Sequence, residues 1–185
     1  MISLVGLPGS GKTTVGRNIA RTLQRRFFDS DSEIERRTGK SVRALFEAEG
    51  ETGFRALEQA VIAELVDLPD AIIATGGGSI LYEANRQALS AHTTVVYLRS
   101  RPETIFRRLR HDNRRPLLQV TDPLRKLRDL YAERDPLYRA TANFVFDCER
   151  STVSMLAKLV LMQLELADMA HPPQPPTSPS GFHGT

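Results

Sequence analysis

The chain has 185 residues, 25 Lys/Arg against 22 Asp/Glu, and 41% hydrophobic content. That is the size and composition of one globular domain with a core of its own. A net charge of +3 excludes a strongly basic nucleic-acid binder, no stretch is long or apolar enough to span a bilayer, and the single cysteine, Cys148, excludes an intrachain disulfide. No basic-then-apolar leader stands at the N-terminus, so a cytoplasmic location is expected. Charge is unevenly spread. Arg99 to Arg139 holds twelve Lys/Arg and six Asp/Glu, a surplus that suits either an anionic ligand or a solvated helical face.

Met1–Val5 is an apolar run ending at Gly6, read as a buried strand, and Lys12–Arg25 has helical spacing at Val15, Ile19, Ala20 and Leu23. A short second strand is expected at Phe27–Phe28. A helix over Glu33–Thr38 follows, capped by Ser32 with Glu35 and ended by Gly39. Ser41 begins a helix that stops at Gly50. Thr52–Leu68 forms the next, with Phe54, Leu57, Val61 and Leu65 on one stripe and Arg55, Glu58 and Ile62 beside it. Strands are expected at Ala71–Ala74, Thr94–Leu98 and Asn143–Phe146, and helices at Tyr82–Leu89, Glu103–Arg110 and Leu124–Arg134. Arg134 is placed at a helix end before a break at Pro136. Val153–Leu166 closes the domain as an amphipathic helix. His111–Asp122 reads as a basic surface loop, and the proline-rich His171–Thr185 as a disordered tail. Alternating strands and helices predict an α/β fold with a mostly parallel sheet, whose ligands sit beyond the strands' carboxyl ends.

Gly6-Leu7-Pro8-Gly9-Ser10-Gly11-Lys12-Thr13 matches G-x-x-x-x-G-K-[ST] without exception, between a strand and a helix. Glycines let backbone N–H groups wrap a phosphate, and the helix start adds its positive end. Lys12 supplies a charge to the β and γ phosphates, and Thr13 a hard oxygen for Mg²⁺. Asp29-Ser30-Asp31 follows the second strand. One carboxylate suits magnesium or its water, the other an acceptor hydroxyl; alternatively the segment only caps the next helix. Arg55 and Glu58 share a helical face, which on its own is equally a surface ion pair of small weight. Gly76, Gly77 and Gly78 follow the third strand, where the lack of side chains permits close approach of a ligand. Arg114-Arg115-Pro116 in the basic loop suits a lid presenting an arginine to a transferring phosphate.

Taken in order, the segments 6–14 (GLPGSGKTT), 28–31 (FDSD), 53–58 (GFRALE), 75–79 (TGGGS), 114–118 (RRPLL) and 134–138 (RDPLY) resemble the shikimate kinase family over roughly Met1–Leu166. The resemblance implies a P-loop kinase with a five-stranded parallel sheet of order 2-3-1-4-5, flanked by helices and carrying a lid loop at about 110–122. It implies ATP and Mg²⁺ as cofactors and transfer of the γ-phosphate to the 3-hydroxyl of shikimate, a step in aromatic amino acid biosynthesis. By similarity, Lys12, Asp31 and Arg115 are catalytic. ATP is held by Gly9, Ser10, Gly11, Lys12, Thr13 and Thr14, by Arg108 near adenine, by Arg115, and by Arg150 in a loop that matches only loosely. Shikimate falls to Asp31, to Arg55 and Arg134 at its carboxylate, and to Gly76, Gly77 and Gly78, with Gly77 nearest Asp31. Thr13 binds magnesium and Asp29 reaches it through water. The expected organisation is a kinase domain over 1–167 and a tail over 168–185, acting as a monomer on a small molecule, without nucleic acid or membrane. A kinase for another small polyhydroxy acid such as gluconate, or a non-catalytic shikimate sensor, stands as the alternative. The intact Lys12, Asp31 and glycine loop argue against the sensor.

Overall fold

The computed structural model describes residues 1–109, 120–149 and 151–170. Five strands, β1 (Ile2–Val5), β2 (Arg26–Asp29), β3 (Ala71–Ala74), β4 (Thr94–Arg99) and β5 (Phe144–Asp147), form one sheet in the order β2-β3-β1-β4-β5. All four pairings are parallel, with Ile2 opposite both Ile72 and Thr94 across the central strand. The expected α/β fold and strand order are therefore the observed ones.

Both sheet faces are covered, which is why the central strands are apolar throughout rather than alternating. Leu4, Ile72, Val96 and Leu98 face a layer with Val15, Ile19, Leu156 and Val160, from α1 (Lys12–Leu23) and α7 (Val153–Ala170). Val5, Ile73, Val95 and Tyr97 face the other layer, with residues of α3 (Val42–Val66), α4 (Glu83–His92), α5 (Pro102–Leu109) and α6 (Pro123–Thr141). The doubly covered sheet fixes its carboxyl edge, where Gly6, Asp29, Thr75 and Ser100 emerge together.

Several elements differ from expectation for physical reasons. The helix after β2, α2, spans Ser30–Thr38 and is capped by Asp29, whose Oδ1 accepts from Ser32 N at 3.3 Å; Ser32 is not the cap. Asp31 therefore sits in a helical first turn. Gly39 does end α2, in the left-handed region at φ 68°. The helices expected on either side of Gly50 run on as α3, and Gly50 (φ 70°, ψ −179°) marks a kink inside it. A short 3-10 turn, Ser79–Leu81, precedes α4. Helix α6 does not break at Pro136 but continues to Thr141. The proline forfeits one backbone hydrogen bond. Tyr138 beyond it is fully buried and stacks on Tyr97 at 4.8 Å, packing that offsets the loss. Helix α7 runs to Ala170, past the 167/168 boundary read from composition, and is apolar on its outer face as well as its inner one. Most of the expected lid (110–119) and the tail from 171 lie outside the described residues.

Candidate active site

The loop between β1 and α1 takes positive φ at Gly6 (147°), Gly9 (83°) and Gly11 (99°), conformations open to glycine at little cost. It wraps the amino end of α1, whose first N–H groups have no partner within the helix. Lys12 is buried, and its Nζ donates to Gly6 O at 2.7 Å and Leu7 O at 3.0 Å. The ammonium is thus held across the loop mouth. Ser10 Oγ is buried with no hydrogen-bond partner among the described residues, a donor left over in a loop shaped for an anion.

From the second strand, Asp29 does two jobs. Its Oδ1 caps α2, and its Oδ2 accepts from Thr13 Oγ1 at 2.7 Å. This locks β2 to α1 and sets two hard oxygen donors side by side. A cavity of about 300 Å³ opens here, walled by Pro8, Gly9, Gly11, Lys12, Thr13, Thr14, Asp29, Asp31, Thr75, Gly77 and Leu109. Phosphate-loop and acceptor-side residues therefore share one chamber. Asp31 has its carboxyl pushed from 3.8 up to about 6, chiefly by burial, then by the charges of Asp29 and Glu58, with Lys12 pulling the other way. A carboxyl of that kind is mostly ionised at neutral pH yet basic enough to take a proton.

The three consecutive glycines explain how Asp31, Arg134 and Arg55 come together. A Cβ on Gly76 would stand 2.6 Å from Asp31 Oδ1 and 2.8 Å from Glu58 Oε1. Gly76 rather than Gly77 is thus the glycine against Asp31. Gly77 presses on Pro8 of the phosphate loop, and its carbonyl accepts from Arg134 Nη1 at 3.0 Å and Tyr138 Oη at 2.6 Å. A Cβ on Gly78 would run into the Arg55 guanidinium. Asp31 and Arg55 thus meet the turn where a side chain is missing, at Gly76 and Gly78, and Arg134 meets it between them at the Gly77 carbonyl.

Arg55 and Glu58 are not a surface pair. Glu58 is fully buried and Arg55 nearly so. Their Nη1–Oε2 distance is 2.7 Å, and Glu58 Oε1 also accepts from Ser79 Oγ at 2.7 Å. Phe46 and Phe54 lie under the guanidinium at 5.7 and 5.4 Å. Arg55 Nε and Arg134 Nε are buried without a hydrogen-bond partner among the described residues, although Arg134 Nε lies 3.5 Å from Glu133 Oε2. Two arginines with spare donors at neighbouring glycines are suited to an anionic group such as a carboxylate. Neither arginine is on the wall of the 300 Å³ cavity; both stand at the far side of the glycine turn.

On the other flank of the loop, Gly9, Ser10, Gly11 and Thr14 line a second cavity of about 310 Å³ with Arg108, Cys148, Ser151, Thr152, Val153 and Leu156. Arg108 Nη2 donates to Cys148 O at 2.8 Å, which sets its guanidinium at the rim. Burial raises the Cys148 thiol to about 11, so it stays protonated. Arg115 and Arg150 lie outside the described residues. Two contributors went unassigned in the sequence, Glu58 and Tyr138. The signal for Tyr138 was its spacing of four from Arg134, which the expected break at Pro136 concealed.

A parallel 2-3-1-4-5 sheet, a glycine loop gripping its own lysine, and a buried aspartate across a shared cavity define a P-loop phosphotransferase of the nucleoside-monophosphate-kinase type. Comparison narrows the class. The shikimate kinase family model matches residues 8–165. A shikimate kinase of Paracidovorax citrulli (strain AAC00-1) is 53% identical over 94% of this chain and 96% of its own length. One of Burkholderia thailandensis is 52% identical over 93% and 94%. The solved shikimate kinase from Acinetobacter baumannii in complex with shikimate superposes with a TM-score of 0.85 at 47% identity, covering 90% of this chain and 93% of that one. The chain belongs to the shikimate kinase family, whose members are ATP-dependent phosphotransferases.

Proposed function

We propose that this chain transfers the γ-phosphoryl group of ATP to the 3-hydroxyl of shikimate, giving shikimate 3-phosphate and ADP. The observation that carries the reading is the convergence of Asp31, Arg134 and Arg55 on Gly76, Gly77 and Gly78, beside the phosphate loop. In this reading Gly9, Ser10, Gly11 and Thr14 cradle the nucleotide phosphates, and Lys12 neutralises charge on the β and γ groups. Arg108 borders the adenine side. Arg115 and Arg150, outside the described residues, keep their assignment to ATP by family resemblance alone.

Arg55 and Arg134 hold the shikimate carboxylate with their remaining donors, and the glycine turn lets the ring approach. Asp31 accepts a hydrogen bond from the 3-hydroxyl. As the new P–O bond forms and the bond to the β-phosphate oxygen breaks, it receives the hydroxyl proton. Little covalent chemistry is asked of the protein, since alignment and charge neutralisation lower the barrier.

The adjoining Thr13 and Asp29 oxygens fit Mg²⁺, with Thr13 as direct ligand and Asp29 acting through water. Among the described residues no group of three or more acidic, His or Cys side chains is placed to hold a metal ion, and in this reading the nucleotide and water would supply the other ligands. Held there by Thr13 and Asp29, the ion would supply charge neutralisation to the nucleotide phosphates. A single chain carries the whole described site. A cytoplasmic setting accords with the single cysteine.

The acceptor assignment is tested by a KM split. Arg55→Ala and Arg134→Ala each raise KM for shikimate at least tenfold and leave KM for ATP within about twofold. Equal effects on both substrates contradict it. Phosphorus NMR of the product separately checks the position of transfer.

A further inference from the structure

Asp135 stands beside Arg134 on α6 and has no part in the reaction as proposed, yet its carboxylate is held from two sides. Its Oδ1 accepts from Tyr97 Oη at 2.8 Å, and its Oδ2 from Arg139 Nε at 2.6 Å. Tyr97 is fully buried in β4, which pairs with β1 on one side and β5 on the other, so this donor is fixed to the sheet. Burial, and then the hydrogen bond to Asp135, push the Tyr97 hydroxyl above its ordinary range, which keeps it a donor. Arg139, four residues further along α6, holds the other oxygen from the helix itself.

The tie matters because of what α6 presents next to it. Arg134 donates to Gly77 O from Nη1 at 3.0 Å, and its Nε is buried without a hydrogen-bond partner among the described residues. A guanidinium on a long side chain with one such anchor takes its direction from where the helix puts its Cα. Just beyond it, Pro136 lacks the N–H that would bond the carbonyl four residues back, so the turn that carries Arg134 is one rung short. A helix attached to its surroundings along a single line can roll about its own axis. Arg134 and Tyr138, four apart, give one such line, to Gly77. Asp135 projects about 100° away around the axis. It reaches the sheet at Tyr97, so the two attachments together fix both the roll and the slide of α6. We infer that Asp135 is a positioning residue for the acceptor site: by binding Tyr97 it sets the roll of α6 and so aims the spare donors of Arg134. The inference rests on the reading of Arg134 as a holder of the shikimate carboxylate.

The experiment is steady-state kinetics of the full chain, with shikimate and Mg-ATP varied in turn, and thermal melts by circular dichroism on each variant. Asp135→Ala raises KM for shikimate about 5- to 20-fold and leaves KM for ATP within about twofold, because a buried hydroxyl loses its acceptor and the helix its tie. Asp135→Asn keeps an oxygen for Tyr97 and stays within about threefold of wild type. Tyr97→Phe keeps the ring stacked on Tyr138 and reproduces the shikimate effect in weaker form, which carries the test if Asp135→Ala does not fold. In an Arg134→Ala background, Asp135→Ala raises KM for shikimate by no more than about twofold, since the side chain it aims is gone. A lowered melting temperature with KM unmoved makes Asp135 a structural tie only and overturns the proposal. So do equal rises for both substrates, or a full Asp135→Ala effect in the Arg134→Ala background. Failure of the acceptor reading has a separate signature: Arg134→Ala by itself then leaves KM for shikimate unmoved, and the inference falls with that reading.

Discussion

At Asp31 the same burial that suits the carboxyl to its proposed role works against the fold. The group titrates near pH 6 in the folded chain against 3.8 when unfolded. Between those values the folded state holds the extra proton, so this residue's contribution to stability falls as pH rises through the window. It is at its most unfavourable above pH 6. Asp31→Asn removes the charge and should stabilise the protein by about 1–3 kcal/mol at pH 7.5, with the advantage vanishing near pH 4. The same substitution should lower kcat by at least about 10²-fold, and wild-type kcat/KM should rise with pH through a midpoint near 6. Thermal melts at the two pH values and a pH–rate profile check these points. An Asn variant less stable than wild type at pH 7.5 contradicts the electrostatic account. Arg55 and Glu58 show the limit of residue-level reading. Their spacing reveals a shared face, but not that this face is buried against Ser79 and two phenylalanines. Burial turns a pair of small weight into one whose disruption leaves an unpaired interior charge.

Two elements owe their form to glycine and proline. Helix α3 bends at Gly50, where φ is 70° and ψ −179°, outside the range side-chain-bearing residues readily adopt. The kink separates the segment with Leu45 and Phe46 from the one that presents Arg55. Gly50→Ala should lower stability by about 1–3 kcal/mol, read in a urea melt, although open space surrounds the site. An unchanged midpoint means the backbone there is unstrained. In helix α6 the continuation past Pro136 matters for the site. Arg134 and Tyr138, four apart, lie on one face and both donate to Gly77 O. Tyr138→Phe deletes one of these donors while keeping the stacking on Tyr97. It should raise KM for shikimate by about 3- to 10-fold with little change for ATP. An equal rise for both substrates would mean that the turn against Pro8 had moved as a whole. The proline break expected from sequence was reasonable local chemistry. It was overridden by Tyr138 packing into a core assembled from distant strands, which no window of neighbouring residues reveals.

For the whole molecule, the sequence carried the architecture through punctuation. β1 stops at Gly6 and β3 at Thr75-Gly76, α2, α3 and α6 begin at capping side chains, and the phosphate loop anchors the order of the rest. The candidates Lys12, Asp31 and Gly76 to Gly78 stood out because they lie in short runs beyond strand ends, while Arg55 and Arg134 lie within helices. Their mutual arrangement did not, because it depends on which carboxylate and which arginine meets which glycine from distant parts of the chain. The outer face of α7 is a similar case. Its amphipathic reading came from the inner stripe, and a second apolar stripe is evident only once the buried face is known. The fold thus brings the phosphate loop and the proposed acceptor residues to one edge of one sheet. The claim that follows is tested by ADP production from Mg-ATP, with shikimate as sole acceptor beside gluconate, AMP, CMP and a blank. The account predicts turnover with shikimate at least about 10³-fold above the nucleotide arms, which lack the carboxylate proposed to pair with Arg55 and Arg134, and above the gluconate arm as well. Turnover with gluconate or a nucleotide and none with shikimate would contradict the acceptor pocket, and silence in every arm with ATP still bound would contradict catalysis itself.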